Sequence, residues 1–170
     1  MDIKALQAAA EKLDASAKKI NHLNPKQLRV ARLITEEHVM DEIASLLKTS
    51  RLIVRRHVHK IHGILDTKDL TQLAIVIYWK ELMEDDDPGT PNRPLCELLS
   101  PKELEVAYLI LDESSNREIG VRLAIALDTV ENYIQHIFNK LGMSSRIEVA
   151  HYVVREIFFA THTIYSPVPQ

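Results

Sequence analysis

The stretch IALDTVENYIQHIFNKLGMSSR (residues 125–146) decides the fold class of this chain. Its apolar residues recur every three or four positions, as they do along one side of an α-helix. They are Val130, Ile134, Ile137 and Leu141. The spacing predicts a helix with one buried face, and it leaves Asp128 and Glu131 on the outer face.

The chain contains two similar segments, residues 23–78 and 99–154, which align without a gap at an offset of 76 residues. Of the 56 aligned pairs, 16 are identical, whereas ordinary composition would give roughly 3 by chance. Most identities fall at apolar or helix-capping positions, such as Pro25 and Pro101. A gapless match at core positions predicts two copies of one fold.

Each copy is predicted to contain four helices. The first helix begins with a capping box and a proline, Asn24-Pro25 in copy one and Ser100-Pro101 in copy two. The other helices are expected at about 39–48, 51–65 and from Thr67 in copy one, and at about 116–124, 128–141 and from Ser145 in copy two. Two short helices joined by a tight turn predict a helix-turn-helix arrangement.

The segments outside the copies complete a five-part organisation. We expect an N-terminal amphipathic helix (1–22), a first basic domain (23–80), an acidic linker with prolines (81–98), a second acidic domain (99–157) and a C-terminal tail (158–170). The N-terminal helix has an apolar stripe with heptad-like spacing. This stripe predicts either packing on the core of copy one or a dimer seam.

Composition limits the class of protein. Apolar residues make up 46% of the chain, so a packed core is expected. The single cysteine, Cys96, and the charged N-terminus without a signal peptide predict a cytoplasmic location. No apolar run approaches the ~20 residues of a membrane span. The net charge of −3 is uneven, because residues 23–79 sum to +3.

The sequence predicts no enzyme. It offers no glycine-rich phosphate loop and no serine or cysteine nucleophile with a convincing base. His57, His59 and His62 lie close together in the sequence, but their spacing does not place all three on one helix face, and no cysteine or carboxylate completes a shell. We therefore expect neither a metal site nor a cofactor.

The second copy resembles the LuxR-type (GerE-like) helix-turn-helix domain of bacterial transcription regulators. The matching pieces are LSPKELEV, SNREIGVRL, the TV that opens the third helix, and KLGMSSRIEVA after it. The resemblance covers about 55 residues. It implies a four-helix domain whose third helix enters the major groove of DNA and whose fourth helix often mediates dimerisation. The chain is thus expected to be all-α, with two tandem LuxR-type domains and an N-terminal amphipathic helix.

The third helix of copy two carries an unusual set of outward residues. The resemblance places base contacts at Glu131, Asn132 and Gln135, and a phosphate contact at Thr129. Asn and Gln pair bidentately with adenine, and glutamate accepts from cytosine N4. Outward cations are few, chiefly Lys140 and Arg146. Lys140 is the predicted phosphate contact on this helix. Base reading by copy two is therefore compatible with the sequence, although phosphate neutralisation is weak.

The third helix of copy one, in TSRLIVRRHVHKIHGIL (49–65), is basic instead. We expect Arg55, Arg56 and His59 to read bases, because arginine pairs bidentately with guanine. Arg51 and Lys60 are expected on phosphates. Copy one is therefore predicted to be the main contact with double-stranded DNA.

An alternative belongs to another class of function. A helix-turn-helix fold whose third helix (the reading helix, which would contact bases) is acidic is also compatible with a protein-binding module that inhibits or modulates another regulator. Glu131, Asp128 and the acidic linker would repel phosphates but suit a basic partner. The apolar segment 156–165 fits either a partner surface or packing across the two copies. A homodimer through the N-terminal helix or the fourth helices is a further prediction.

Overall fold

The computed structural model describes residues 3–89, 93–112 and 115–162, and in these ranges the chain forms helices and no strand. The predicted all-α class is confirmed. The helices are α1 (Ile3–Lys18), α2 (Pro25–Thr35), α3 (Met40–Leu46), α4 (Arg51–Leu65), α5 (Leu70–Glu84), α6 (Leu95–Leu98), α7 (Pro101–Asp112), α8 (Asn116–Leu123), α9 (Leu127–Leu141) and α10 (Arg146–His162). Residues Lys19–His22 form a 3₁₀ turn. Within these ranges, no helix combines the length and apolar character that crossing a membrane requires.

Two groups of helices follow the same order along the chain. We call α2–α5 the first helix set and α7–α10 the second helix set. The first residues of corresponding helices differ by 76 positions in all four cases. Corresponding core positions are also buried alike, as at Val30 and Val106 and at Val54 and Val130.

The predicted capping boxes at the start of α2 and α7 are present. In α2, Asn24 Oδ1 accepts the Gln27 N–H at 2.9 Å, and the Asn24 N–H donates to Gln27 Oε1 at 2.9 Å. In α7, the Ser100 N–H donates to Glu103 Oε2 at 2.7 Å, and Ser100 Oγ accepts the Glu103 N–H at 3.4 Å. These bonds satisfy backbone groups that would otherwise lack partners at a helix start.

Several elements extend beyond the bounds expected from the sequence. Helix α5 continues to Glu84, and the expected linker contains the short helix α6, whose Leu95 is fully buried. Helix α10 continues to His162, because Phe158 still packs into the core. Residues 90–92 of the expected linker lie outside the described residues, as do Ile164 and Tyr165 of the apolar C-terminal segment.

Helix α5 lies at the centre of the molecule. It packs against α1, α2 and α10, so it contacts both helix sets. Its buried residues are Thr71, Leu73, Ala74, Ile75, Val76, Ile77, Trp79 and Leu82. Because these buried residues lie around most of the circumference of α5, the helix is not divided into one buried and one exposed side.

Trp79 joins three helices. Its Nε1–H donates to Asp14 Oδ1 of α1 at 2.7 Å, and its ring packs edge-on against Phe158 of α10 at a centroid distance of 5.7 Å. On α1, Ala10 and Ala17 are buried in the same core. The apolar stripe of the N-terminal helix therefore packs on α5 and α10 within the chain, and a homodimer through this stripe stays a prediction.

Candidate nucleic-acid interface

The turns before α4 and α9 have the same geometry. Lys48 and Ala124 both adopt left-handed backbone conformations, with φ values of 49° and 53°. The Lys48 N–H donates to the Ser45 carbonyl at 3.1 Å, and the Ala124 N–H donates to the Val121 carbonyl at 3.3 Å. In both sets this tight turn sets the direction in which the following helix leaves the domain.

Helix α4 presents a basic outer face. Arg55, Arg56, His59 and Lys60 are all exposed, and the buried side of the helix is formed by the apolar residues expected from the sequence. Ser50 Oγ accepts the Ile53 N–H and caps the helix start. Among the described residues, Arg55, Arg56 and Lys60 form no salt bridge with a carboxylate. These three cations are therefore free to meet an anionic ligand.

Arg51 lies at the start of α4 but is paired. Its Nη1 lies 3.1 Å from Asp41 Oδ2 on α3, and both side chains are exposed. An exposed ion pair of this kind contributes roughly 0–1 kcal/mol. For Arg51 to contact a phosphate as predicted, the phosphate would have to displace Asp41 from this ion pair. The small stabilisation from the ion pair allows that exchange.

Helix α9 presents a different outer face. Thr129, Glu131, Asn132 and Gln135 are exposed, as the sequence predicts. Gln135 Nε2 donates to Asn139 Oδ1 at 3.3 Å. The helix begins at Leu127 without a side-chain cap on Ala126, and Asp128 lies in its first turn. This face offers amide groups and carboxylates rather than cations.

Lys140, the predicted phosphate contact of α9, points to a buried partner. Its Nζ lies 2.6 Å from Oε2 of Glu103, a residue with only 3% exposure. Burial alone would raise the pKa of Glu103, but the hydrogen bonds from Lys140 and Ser100 outweigh it and lower that pKa to about 2. The Lys140 ammonium thus neutralises a buried carboxylate, and its contact with DNA stays a prediction.

Two arginines of the second set have positions that the sequence analysis did not give. The expectation that Arg146 is an outward cation is wrong, because this residue is half-buried and its Nη1 donates to Asn116 Oδ1 at 3.0 Å, linking α10 to α8. Arg117, in contrast, is exposed on α8. Its position within SNREIGVRL was a signal that could have marked it as a candidate phosphate contact.

The histidines of α4 do not converge. His59 is exposed, His57 is half-buried, and His62 Nδ1 lies 2.7 Å from Thr67 Oγ1. Burial lowers the pKa of His62. The part of the chain that the structure describes contains no group of three or more side chains suited to holding a metal ion.

Exposed apolar side chains occur before and on α3 and in the first turn of α4. Leu52 is 66% exposed and Ile53 is 40% exposed, and Val39 and Leu46 on and before α3 are also exposed. Isolated exposed apolar residues are common on proteins. Here, however, four occur within residues 39–53, and a DNA-binding surface alone does not require them.

The second helix set matches a known family. Residues 97–153 match the family model of bacterial regulatory proteins, luxR family. They form a LuxR-type helix-turn-helix domain. The family resemblance seen in the sequence is thereby confirmed for this region, and α8 and α9 are the two helices of its helix-turn-helix.

The chain is similar to named proteins. They include the "Oxygen regulatory protein NreC" of Staphylococcus aureus strains JH9, JH1 and Mu3 / ATCC 700698. Each is 32% identical over 106 residues, which cover 62% of this chain and 46% of the relative. This chain thus spans about half the length of these relatives. No solved structure has significant similarity to it.

Proposed function

We propose that this protein is a DNA-binding transcription regulator and that α4 makes its main contact with the duplex. The observation that carries this proposal is the exposed face of Arg55, Arg56, His59 and Lys60 on a helix that follows a helix-turn-helix turn. Cations on such a helix can approach phosphates and the acceptor groups of guanine. The LuxR-type domain at residues 97–153 supports the same class of function.

The first helix set is proposed to be a second, diverged LuxR-type domain. Support comes from the backbone as well as from the 16 sequence identities. Left-handed residues occur at Asp66 and Gly142, again 76 positions apart, and each ends its helix. The turn hydrogen bonds from Thr49 N–H to the Ala44 carbonyl and from Ile125 N–H to the Gly120 carbonyl also correspond. Such agreement at strained positions favours descent of both sets from one domain.

The two sets are proposed to act together as a dimer-like unit. Helices α5 and α10 are the fourth helices of their sets, and they pack directly against each other. Tyr78 of α5 and His151 of α10 lie with ring centroids 4.3 Å apart. This arrangement supports presentation of α4 and α9 to neighbouring half-sites, which lie roughly 34–36 Å apart in conventional dimers.

The test is fluorescence anisotropy of labelled mixed-sequence duplex DNA between roughly 50 and 200 mM salt. Wild-type binding should weaken steeply with salt. Arg55→Ala with Arg56→Ala should weaken binding by roughly 10-fold or more and flatten the salt dependence, because on mixed-sequence DNA these arginines would meet phosphates, and each lost phosphate contact lowers the slope by about 0.9.

A charge-matched control separates local contacts from net charge. Lys18→Ala with Arg93→Ala removes two exposed cations outside α4, so it changes net charge equally. We expect this control to retain most of the wild-type affinity. Equal losses of DNA affinity in both double variants would show that α4 is not the main contact. Wild-type affinity in Arg55→Ala with Arg56→Ala would also reject the assignment of α4 as that contact.

A protein-binding module is a second candidate function. The exposed apolar residues Leu52 and Ile53 at the start of α4 favour it. Its test is co-purification from the source cell. If this function is correct, a protein that co-purifies with the wild-type chain should be lost when Leu52→Ser and Ile53→Ser are combined. The wild-type chain should also fail to bind duplex DNA at any salt concentration.

A further inference from the structure

Five exposed positions of α4 correspond to five exposed positions of α9, and they carry different residues at every one. The α4 residues are Arg51, Arg55, Arg56, His59 and Lys60, and the α9 residues at an offset of 76 are Leu127, Glu131, Asn132, Gln135 and His136. The two helices therefore expose the same positions but offer different hydrogen-bonding groups.

The α4 face offers mainly donors. Arginine and lysine have no acceptor, so they pair with the O6 and N7 acceptors that guanine shows in the major groove. Arg55 and Arg56 form no salt bridge with the described carboxylates, so a base edge does not have to displace such a partner. A half-site below α4 should therefore contain guanine.

The α9 face cannot read the same bases. The Glu131 carboxylate only accepts hydrogen bonds, so it would repel guanine O6 and N7 but suits the amino groups of cytosine and adenine. Asn132 and Gln135 present a donor and an acceptor together, which matches adenine N6 and N7. A half-site below α9 should therefore contain adenine or cytosine at the contacted positions.

The exposed faces of α4 and α9 belong to one chain, so their order along the polypeptide is fixed. Packing of α5 on α10, with Trp79 against Phe158, links the two helix sets within the molecule. A homodimer with two identical reading helices matches a palindrome because the protein and its site share a twofold axis. Two unlike helices in one chain lack that symmetry.

We propose that this protein recognises a non-palindromic duplex, with a guanine-containing half-site under α4 and an adenine- or cytosine-containing half-site under α9. This inference rests on the proposed DNA-binding function. Most of the affinity would come from the α4 half-site, because cations dominate the phosphate contacts there. The α9 half-site would supply the second part of the sequence preference and fix the orientation of the protein.

The test is selection of bound duplexes from a library with a randomised region, using the full chain, followed by sequencing. The expected result is one asymmetric motif with guanine enriched on one side only. Arg56→Ala should relax the preference in the guanine half alone, and Gln135→Ala should relax it in the other half alone. Both side chains are exposed, so circular dichroism melting should show that the variants stay folded.

A designed duplex provides a second measurement. An inverted repeat of the guanine half-site should bind at least 10-fold more weakly than the selected asymmetric duplex, since α9 would then face mismatched bases. Equal or tighter binding of the inverted repeat, or selection of a palindrome, would overturn the inference while DNA binding stands. Salt-dependent binding without any enriched motif would also overturn it. An absence of DNA binding under all conditions would reject the proposed function itself.

Discussion

Replacement of Lys140 by isoleucine tests how the second helix set handles its buried charge. The Lys140 ammonium is 2.6 Å from the Glu103 carboxylate, which is almost completely inaccessible to solvent. Without the ammonium, the carboxylate keeps the hydrogen bond from the Ser100 N–H at 2.7 Å, and His136 Nδ1 lies 3.9 Å from its other oxygen. Leaving a buried charge without its partner costs about 3–5 kcal/mol when both groups are buried. Because Lys140 is itself exposed, we expect a loss of about 2–4 kcal/mol in the free energy of unfolding.

The corresponding pair in the first helix set supplies a double variant that should be tolerated. Gln27 occupies the position of Glu103, and Ile64 occupies the position of Lys140. Gln27 is buried and makes the same capping box without a charge. Glu103→Gln combined with Lys140→Ile should therefore recover most of the stability that Lys140→Ile loses alone.

The pH dependence gives this prediction a definite sign. Because the folded-state pKa of Glu103 is lowered from 4.5 to about 2, its stabilising effect is present above pH 4.5 and is lost as the pH falls towards 2. In Lys140→Ile the carboxylate lacks its cation, so the pKa of Glu103 should rise from its wild-type value. The difference in stability between wild type and variant should therefore shrink between pH 7 and pH 4.

Urea unfolding followed by circular dichroism measures these differences. Lys102→Met is the matched control, because Lys102 pairs with Glu105 at 2.9 Å on the exposed surface of α7, where an ion pair contributes little to stability. A loss for Lys140→Ile no larger than that of Lys102→Met at pH 7 would refute the reasoning. So would a loss that is the same at pH 7 and pH 4.

Three further substitutions probe the backbone and the core, each by thermal or urea unfolding. Gly120→Ala should destabilise the protein by about 1–3 kcal/mol, because a Cβ there would lie 2.9 Å from the Ile125 carbonyl oxygen; unchanged stability would contradict this tight contact. Ala124→Gly should stabilise it by about 0.5–1 kcal/mol, since φ is 53° at this position, and a loss would show that the left-handed conformation carries no cost. Trp79→Phe should cost about 1–2 kcal/mol by leaving Asp14 without its donor, and Asp14→Asn, which keeps an acceptor, should cost less.

Local features of the fold were predictable from the sequence because their causes lie within a few residues. Capping boxes mark the starts of α2 and α7, and apolar spacing gives the buried side of α4 and α9. The outward positions of Arg55 and Asn132 follow from that spacing. Each of these predictions uses information contained in one or two helical turns.

Long-range contacts could not be predicted in the same way. Helix α5 is apolar on nearly all sides, so its pattern gave no direction for packing against α10. Arg146 and Lys140 looked like surface cations, because nothing near them in sequence indicates Asn116 or Glu103 as their partners. Ion pairs and hydrogen bonds over 30 or more positions depend on how the helices are assembled.

The packing of α5 on α10 also has a consequence for gene dosage. When two reading helices come from separate subunits, dilution separates the subunits, and site occupancy at low expression falls with the square of protein concentration. Here both helix sets belong to one polypeptide, and Trp79 and Phe158 pack together within it. Occupancy of a site that needs both sets should then follow the first power of protein concentration, so the response at low expression should scale linearly with expression.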